Sequence, residues 1–112
     1  MNALSAYKFV RGDYFLVSAM ALTIEEVEKR LGIPKDVLIR EGLRLFLQNE
    51  ARNLKAEISK IGAKYGVKYF DELWKKIENG EISETDCLDD LVKLEHLENK
   101  LREVLSLLGE KQ

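Results

Sequence analysis

Cysteine, histidine and proline are nearly absent. There is one cysteine, Cys87, one histidine, His96, and a single proline, Pro34. A lone thiol forms no intrachain disulfide, which fits a reducing cytoplasm. A histidine with no second histidine and no cysteine nearby supplies neither a metal-ligand set nor a catalytic triad, so His96 reads as a surface or partner-facing residue. No apolar run approaches the roughly 20 residues that a membrane span needs. The longest is Phe15 to Leu22. Glycine-rich phosphate loops, the dinucleotide fingerprint and the HExxH pair are also missing. The expectation is therefore no enzyme, no catalytic residue, no cofactor, no metal and no membrane insertion. Function must be sought in surfaces and partners.

What the sequence does have is charge and helical patterning. Charged residues make up 34% of the 112 positions, against about 25% in a typical domain. They are unevenly placed. Residues 1–68 hold 12 Lys and Arg against 8 Asp and Glu, whereas residues 69–112 hold 6 against 12. A basic first half and an acidic second half suggest two different surfaces. A chain of this length buries only about two-thirds of its unfolded surface, so pairing with a second chain would help it.

Residues 7–22 place aromatic and β-branched side chains around Arg11-Gly12-Asp13, a pattern that predicts a strand or hairpin. Thr23 then opens a short helix, with Glu26 three residues on to complete a capping box. Gly32 ends it. Pro34 lies just beyond, and Asp36 is the expected N-cap of a long helix over about 37–64. Ile39, Leu43 and Phe46 form a first stripe on that helix. Leu47, Ala51, Leu54, Ile58, Ile61 and Tyr65 form a second, at the 4-3-4-3-4 spacing of a heptad seam. The seam needs a cover, either the C-terminal helices or another molecule. After Gly66, Phe70, Leu73, Trp74 and Ile77 fall on one face of a short helix. Ser83 with Asp86 signals a last helix to about Leu108, leucine-rich on one side and acidic on the other. The expected fold is mainly α: a short N-terminal strand or hairpin, then a short helix, one long helix and two C-terminal amphipathic helices, assembled as a dimer.

The stretch LGIPKDVLIREGL, Leu31 to Leu43, resembles the approach to the second helix in ribbon-helix-helix proteins of the MetJ, Arc and CopG type. The Leu-Gly-Ile turn, Asp36 at the capping position and the Leu-Ile-Arg-Glu core carry the likeness. Lys64-Tyr65-Gly66-Val67, Phe70 to Trp74, Ile77-Glu78 and Gly80-Glu81 are similar to the tail of archaeal VapB-like antitoxins. The resemblance covers about residues 20–108. It implies a dimer whose paired strands enter the DNA major groove while helix N-termini hold backbone phosphate. It also implies a C-terminal part that wraps a toxin, often a PIN-domain ribonuclease. One departure stands out: the strand candidate Phe15 to Leu22 offers no side chain more polar than Ser18 for reading bases.

Three regions follow from this reading: an N-terminal strand or extension at 1–19, a ribbon-helix-helix-like dimerisation region at 20–65 with DNA contact as a second role, and an acidic helical partner-binding region at 66–112. The leading expectation is an antitoxin-like protein that dimerises through its N-terminal half, neutralises a small basic ribonuclease-type toxin with its acidic helices and regulates its own operon. The alternatives are a DNA-binding transcriptional regulator, of ribbon-helix-helix or helix-turn-helix type, and a structural helical dimer with neither role. Candidate contacts to operator DNA are Lys29, Arg30, Lys35, Arg40 and Arg44. Candidate dimer or partner contacts are Ile39, Leu43, Phe46, Leu47, Leu54, Ile58, Ile61, Phe70, Trp74, Leu94, Leu97 and Leu101.

Overall fold

The computed structural model describes residues 23–109. About 84% of these are helical and none is in a strand. Four helices are present among the described residues: α1 (Ile24–Leu31), α2 (Lys35–Tyr65), α3 (Phe70–Glu78) and α4 (Glu84–Leu108). The expected strand-bearing arrangement is thereby corrected: the described residues are helical without a strand, and only the mainly α part of the expectation fits. The segment that prompted it, residues 7–22, lies outside the described residues. The expected layout also set a long dimerising helix apart from two partner-binding helices. Instead, α3 and α4 close on the second half of α2 within one chain. The compact units are Met1–Glu41 and Gly42–Gln112.

In the first unit, α1 is bounded by local chemistry. The Thr23 hydroxyl accepts the Glu26 amide at 3.0 Å, satisfying one of the unpaired N–H groups of the first turn. The capping box is half-made, because the Glu26 carboxylate turns outward to Arg30 at 3.1 Å. Gly32 takes φ 67° and returns its amide to the Glu28 carbonyl at 2.9 Å. This is a left-handed stop that a side chain would strain. α2 begins two residues earlier than expected. The Pro34 carbonyl accepts from the Val37 and Leu38 amides at 3.1 and 3.0 Å, so Asp36 sits inside the first turn and is not its cap. There its charge still favours the positive end of the helix dipole. The Glu28 carboxylate accepts the Lys35 amide at 3.2 Å, and Glu25 pairs with the Lys35 ammonium at 3.1 Å.

The second unit holds the core. Ala51, Leu54, Ile58 and Ile61 of α2 meet Val67, then Leu73 of α3, then Cys87, Leu91, Leu94, Leu97, Val104 and Leu105 of α4. Leu73 and Leu94 are fully buried. The heptad seam is thus covered by the chain's own C-terminal helices. Lys93 reaches Glu57 at 3.9 Å, and Lys64 reaches Asp90 at 3.0 Å. These links run in opposite senses along the two helices, so α4 is antiparallel to the second half of α2.

Two tight turns make this possible. At the end of α2, Gly66 adopts φ 69° and the Val67 amide reaches back to the Gly62 carbonyl at 3.0 Å. That is the six-to-one bond of a Schellman stop, with Val67 tucked into the core. Gly62 is where the chain comes back on itself. A Cβ there would lie 2.2 Å from the Val67 carbonyl oxygen. At the end of α3 the same device recurs, with Glu81 bonding the Lys76 carbonyl at 2.9 Å and Gly80 at φ 78°. Ser83 precedes α4 without a side-chain cap. Its carbonyl accepts from the Asp86 amide at 3.1 Å and the Cys87 thiol at 3.5 Å.

Candidate protein interaction surface

The structure sorts the expected interface residues into two groups. Leu54, Ile58, Ile61, Leu94 and Leu97 are buried in the core of their own chain, and Leu47, Phe70 and Leu101 are half-buried against it. These hold the fold together. Ile39, Leu43 and Phe46 are exposed, the last two at 59% and 60%. On α2 the division follows the two stripes, the heptad seam being covered and the first stripe open, but periodicity did not say which molecule covers either.

Further large apolar side chains lie open. In the first unit they are Ile24 and Leu31. In the second, Leu45 lies on the first turns of its part of α2 but is turned away from Leu43. On α4, Leu88 and Val92 are exposed one turn apart. Helical spacing sets Glu84, Asp89 and Glu95, all exposed, beside them. The result is a small apolar strip with an acidic rim on the outer face of α4. Leu45 and Val92 fall off every inward stripe and so gave no periodic signal. Trp74 is 37% exposed and stacks on Phe70, with ring centroids 6.5 Å apart and planes inclined by 4°. That stacking stiffens a candidate aromatic anchor.

The cations proposed for DNA contact are exposed but interleaved with carboxylates. Arg30 and Lys35 are engaged by Glu26 and Glu25. A backbone hydrogen bond first, then Lys35, holds the Glu25 carboxyl below its ordinary value. Such exposed pairs are weak and exchangeable.

Not all of the acidity on α4 faces outward. The Asp90 carboxylate accepts from Tyr65 Oη at 2.5 Å and from Lys64 Nζ at 3.0 Å. The Tyr65 hydroxyl, then Lys64, hold the Asp90 carboxyl below its ordinary value. Bonded to that carboxylate and partly desolvated, the Tyr65 phenol is pushed up to about 12. Glu98 reaches across to α3 and accepts the Phe70 amide at 2.7 Å, capping that helix from another element. Burial, with Asp86, Glu84 and Asp90 nearby, raises the Cys87 thiol, which makes it a poor nucleophile. Among the described residues no group of three His, Cys, Asp or Glu side chains could hold a metal ion, and no helix is long and apolar enough to cross a membrane.

The fold and its surfaces define a class: a small helical protein with a self-contained core, uncovered apolar residues and an acidic outer helix face. The chain belongs to the Uncharacterized protein MJ0235 family, whose model matches residues 20–111. It is 42% identical over 74 residues to Uncharacterized protein MJ0235 of Methanocaldococcus jannaschii, covering 66% of this chain and 89% of that protein. No solved structure matches the chain.

Proposed function

We propose that this is an antitoxin-like interaction protein of the cytoplasm. It pairs with a second copy through the exposed apolar residues of its N-terminal half. With the acidic strip on α4, it captures a small basic partner of the ribonuclease-toxin type. The observation that carries the reading is uneven coverage: Leu54 to Tyr65 are satisfied within the chain, while Leu43, Leu45 and Phe46 stay open to solvent. Clustered apolar exposure of this kind is characteristic of association surfaces. The acidic strip supports the second part, because its charges would steer a cationic partner while Leu88 and Val92 supply apolar contact.

The test has two arms. Sedimentation of the full chain should find a dimer at micromolar concentration, and Leu43→Asp with Phe46→Asp should give a monomer of unchanged helicity. Co-expression with the product of the adjacent small reading frame should yield a complex, which Leu88→Asp with Val92→Asp weakens while the protein stays folded. A monomeric wild type, or a complex indifferent to the α4 substitutions, overturns the corresponding half of the reading. Leu97→Asp is no probe of capture, because Leu97 lies in the core.

A further inference from the structure

A groove of about 720 Å³ opens along the second unit, between α2 and α4 and beside the 66–69 turn. Its size falls within the usual range for small-ligand sites, about 300–1,000 Å³. Its lining spans residues 55–63 of α2 and 98–105 of α4, about two helical turns of each, or roughly 11 Å. That is short for a partner helix and well suited to a small chain-like molecule. Ile58, Leu101 and Leu105 give it an apolar bed.

The rim supplies the second clue. Three cations, Lys55, Lys68 and Arg102, stand on it against a single carboxylate, Glu98. Glu98 is already committed to the Phe70 amide. The Arg102 guanidinium is held by the neutral Asn99 side chain. Among the described residues no carboxylate pairs with any of the three cations. In a chain of net charge −2 with an acidic C-terminal half, this concentration of positive charge beside an apolar bed is a local reversal. The nearby helix N-terminus, which could otherwise present free amides to a phosphate, has its first amide taken by Glu98.

We propose that this groove binds a small amphiphilic carboxylate. Its apolar chain lies on Ile58, Leu101 and Leu105, and its head group is held by the rim cations. The site is independent of the dimer and toxin surfaces, so the two readings stand or fall separately. The test is an NMR titration of the full-length protein below the micellar range with decanoate, hexanoate, decanol and decyltrimethylammonium. Decanoate should shift amides along 55–63 and 98–105 saturably. It should bind more than about tenfold tighter than hexanoate, since each buried methylene adds to the affinity, and more than about tenfold tighter than decanol, which lacks the charge. The cationic amphiphile should not compete. Lys55→Glu with Arg102→Glu, or Lys68→Glu, should weaken decanoate by about tenfold or more with the melting temperature held. Absence of saturable binding, equal binding of decanol, shifts centred elsewhere, or indifference to every charge reversal would each overturn the proposal.

Discussion

The two ends of α2 live under different rules. From Ala51 to Tyr65 the helix has its apolar stripe sealed by α3 and α4, and polar detail reinforces the seal: Tyr65 and Lys64 on Asp90, Val67 on Gly62. From Leu43 to Phe46 the same helix leaves comparable side chains at about 60% exposure, with no buried residue before Ala51. Helix propensity is similar throughout, so propensity does not set the difference. What differs is whether α3 and α4 supply a cover. The C-terminal helices run out of length: α4 ends at Leu108, whose groove neighbours on α2 are Gln48 and Ala51. The sealed part is the scaffold, and the open part is where association has something to gain.

The sharpest way to break this contrast is to truncate one side chain on each side of it. Leu94→Ala removes a fully buried side chain and should cost about 2–5 kcal/mol in chemical denaturation. Leu43→Ala should change the stability of the isolated monomer by no more than about 0.5 kcal/mol. Equal effects would mean that the open end is not open. Next in size is Gly62→Ala. Alanine normally favours a helix, but here its Cβ would press on the Val67 carbonyl, so a loss of about 1–3 kcal/mol is expected. A gain in melting temperature would show that the return of the chain after α2 is looser than described.

The smallest effect concerns pH. Tyr65→Phe should cost about 1 kcal/mol near neutrality, the ordinary value of one hydrogen bond. Asp90 has a lowered folded value, so its contribution is present above the unfolded value of about 3.9 and is lost as pH falls through the folded one. Tyr65 has a raised folded value, so its contribution is present below the unfolded value of about 10 and is lost as pH rises through about 12. The wild-type-minus-variant difference should therefore be flat between these limits and shrink at both ends. A difference that does not vary between pH 3 and pH 12 would remove the bond from the account of the sealed end.

Much of the helical scaffold was legible because its signals are local. Thr23, Gly32, Gly66 and Gly80 punctuate the chain where their chemistry says they should, and the 4-3-4-3-4 stripe identified the buried side of α2. The strand expectation rested on aromatic and β-branched composition alone, and the described residues contain no strand. What could not be read was non-local. Gly62 looks like any helical glycine until Val67 folds back over it. Asp90 and Glu98 look like surface charges until the register between helices brings Tyr65 and Phe70 to them. The interface residues were mixed for the same reason, since periodicity marks the side of a helix that seeks cover and is silent on who provides it.

The Glu98 bond to Phe70 changes how the acidity of α4 is counted. A carboxylate 28 residues downstream fastens the first amide of α3, and Asp90 is likewise spent on Tyr65 and Lys64. Two of the anions that the primary structure advertises therefore work as internal rivets. Both keep their negative charge, which Lys64 offsets at Asp90 alone, but an approaching cation would find fewer free carboxylate oxygens than the tally of acidic residues suggests.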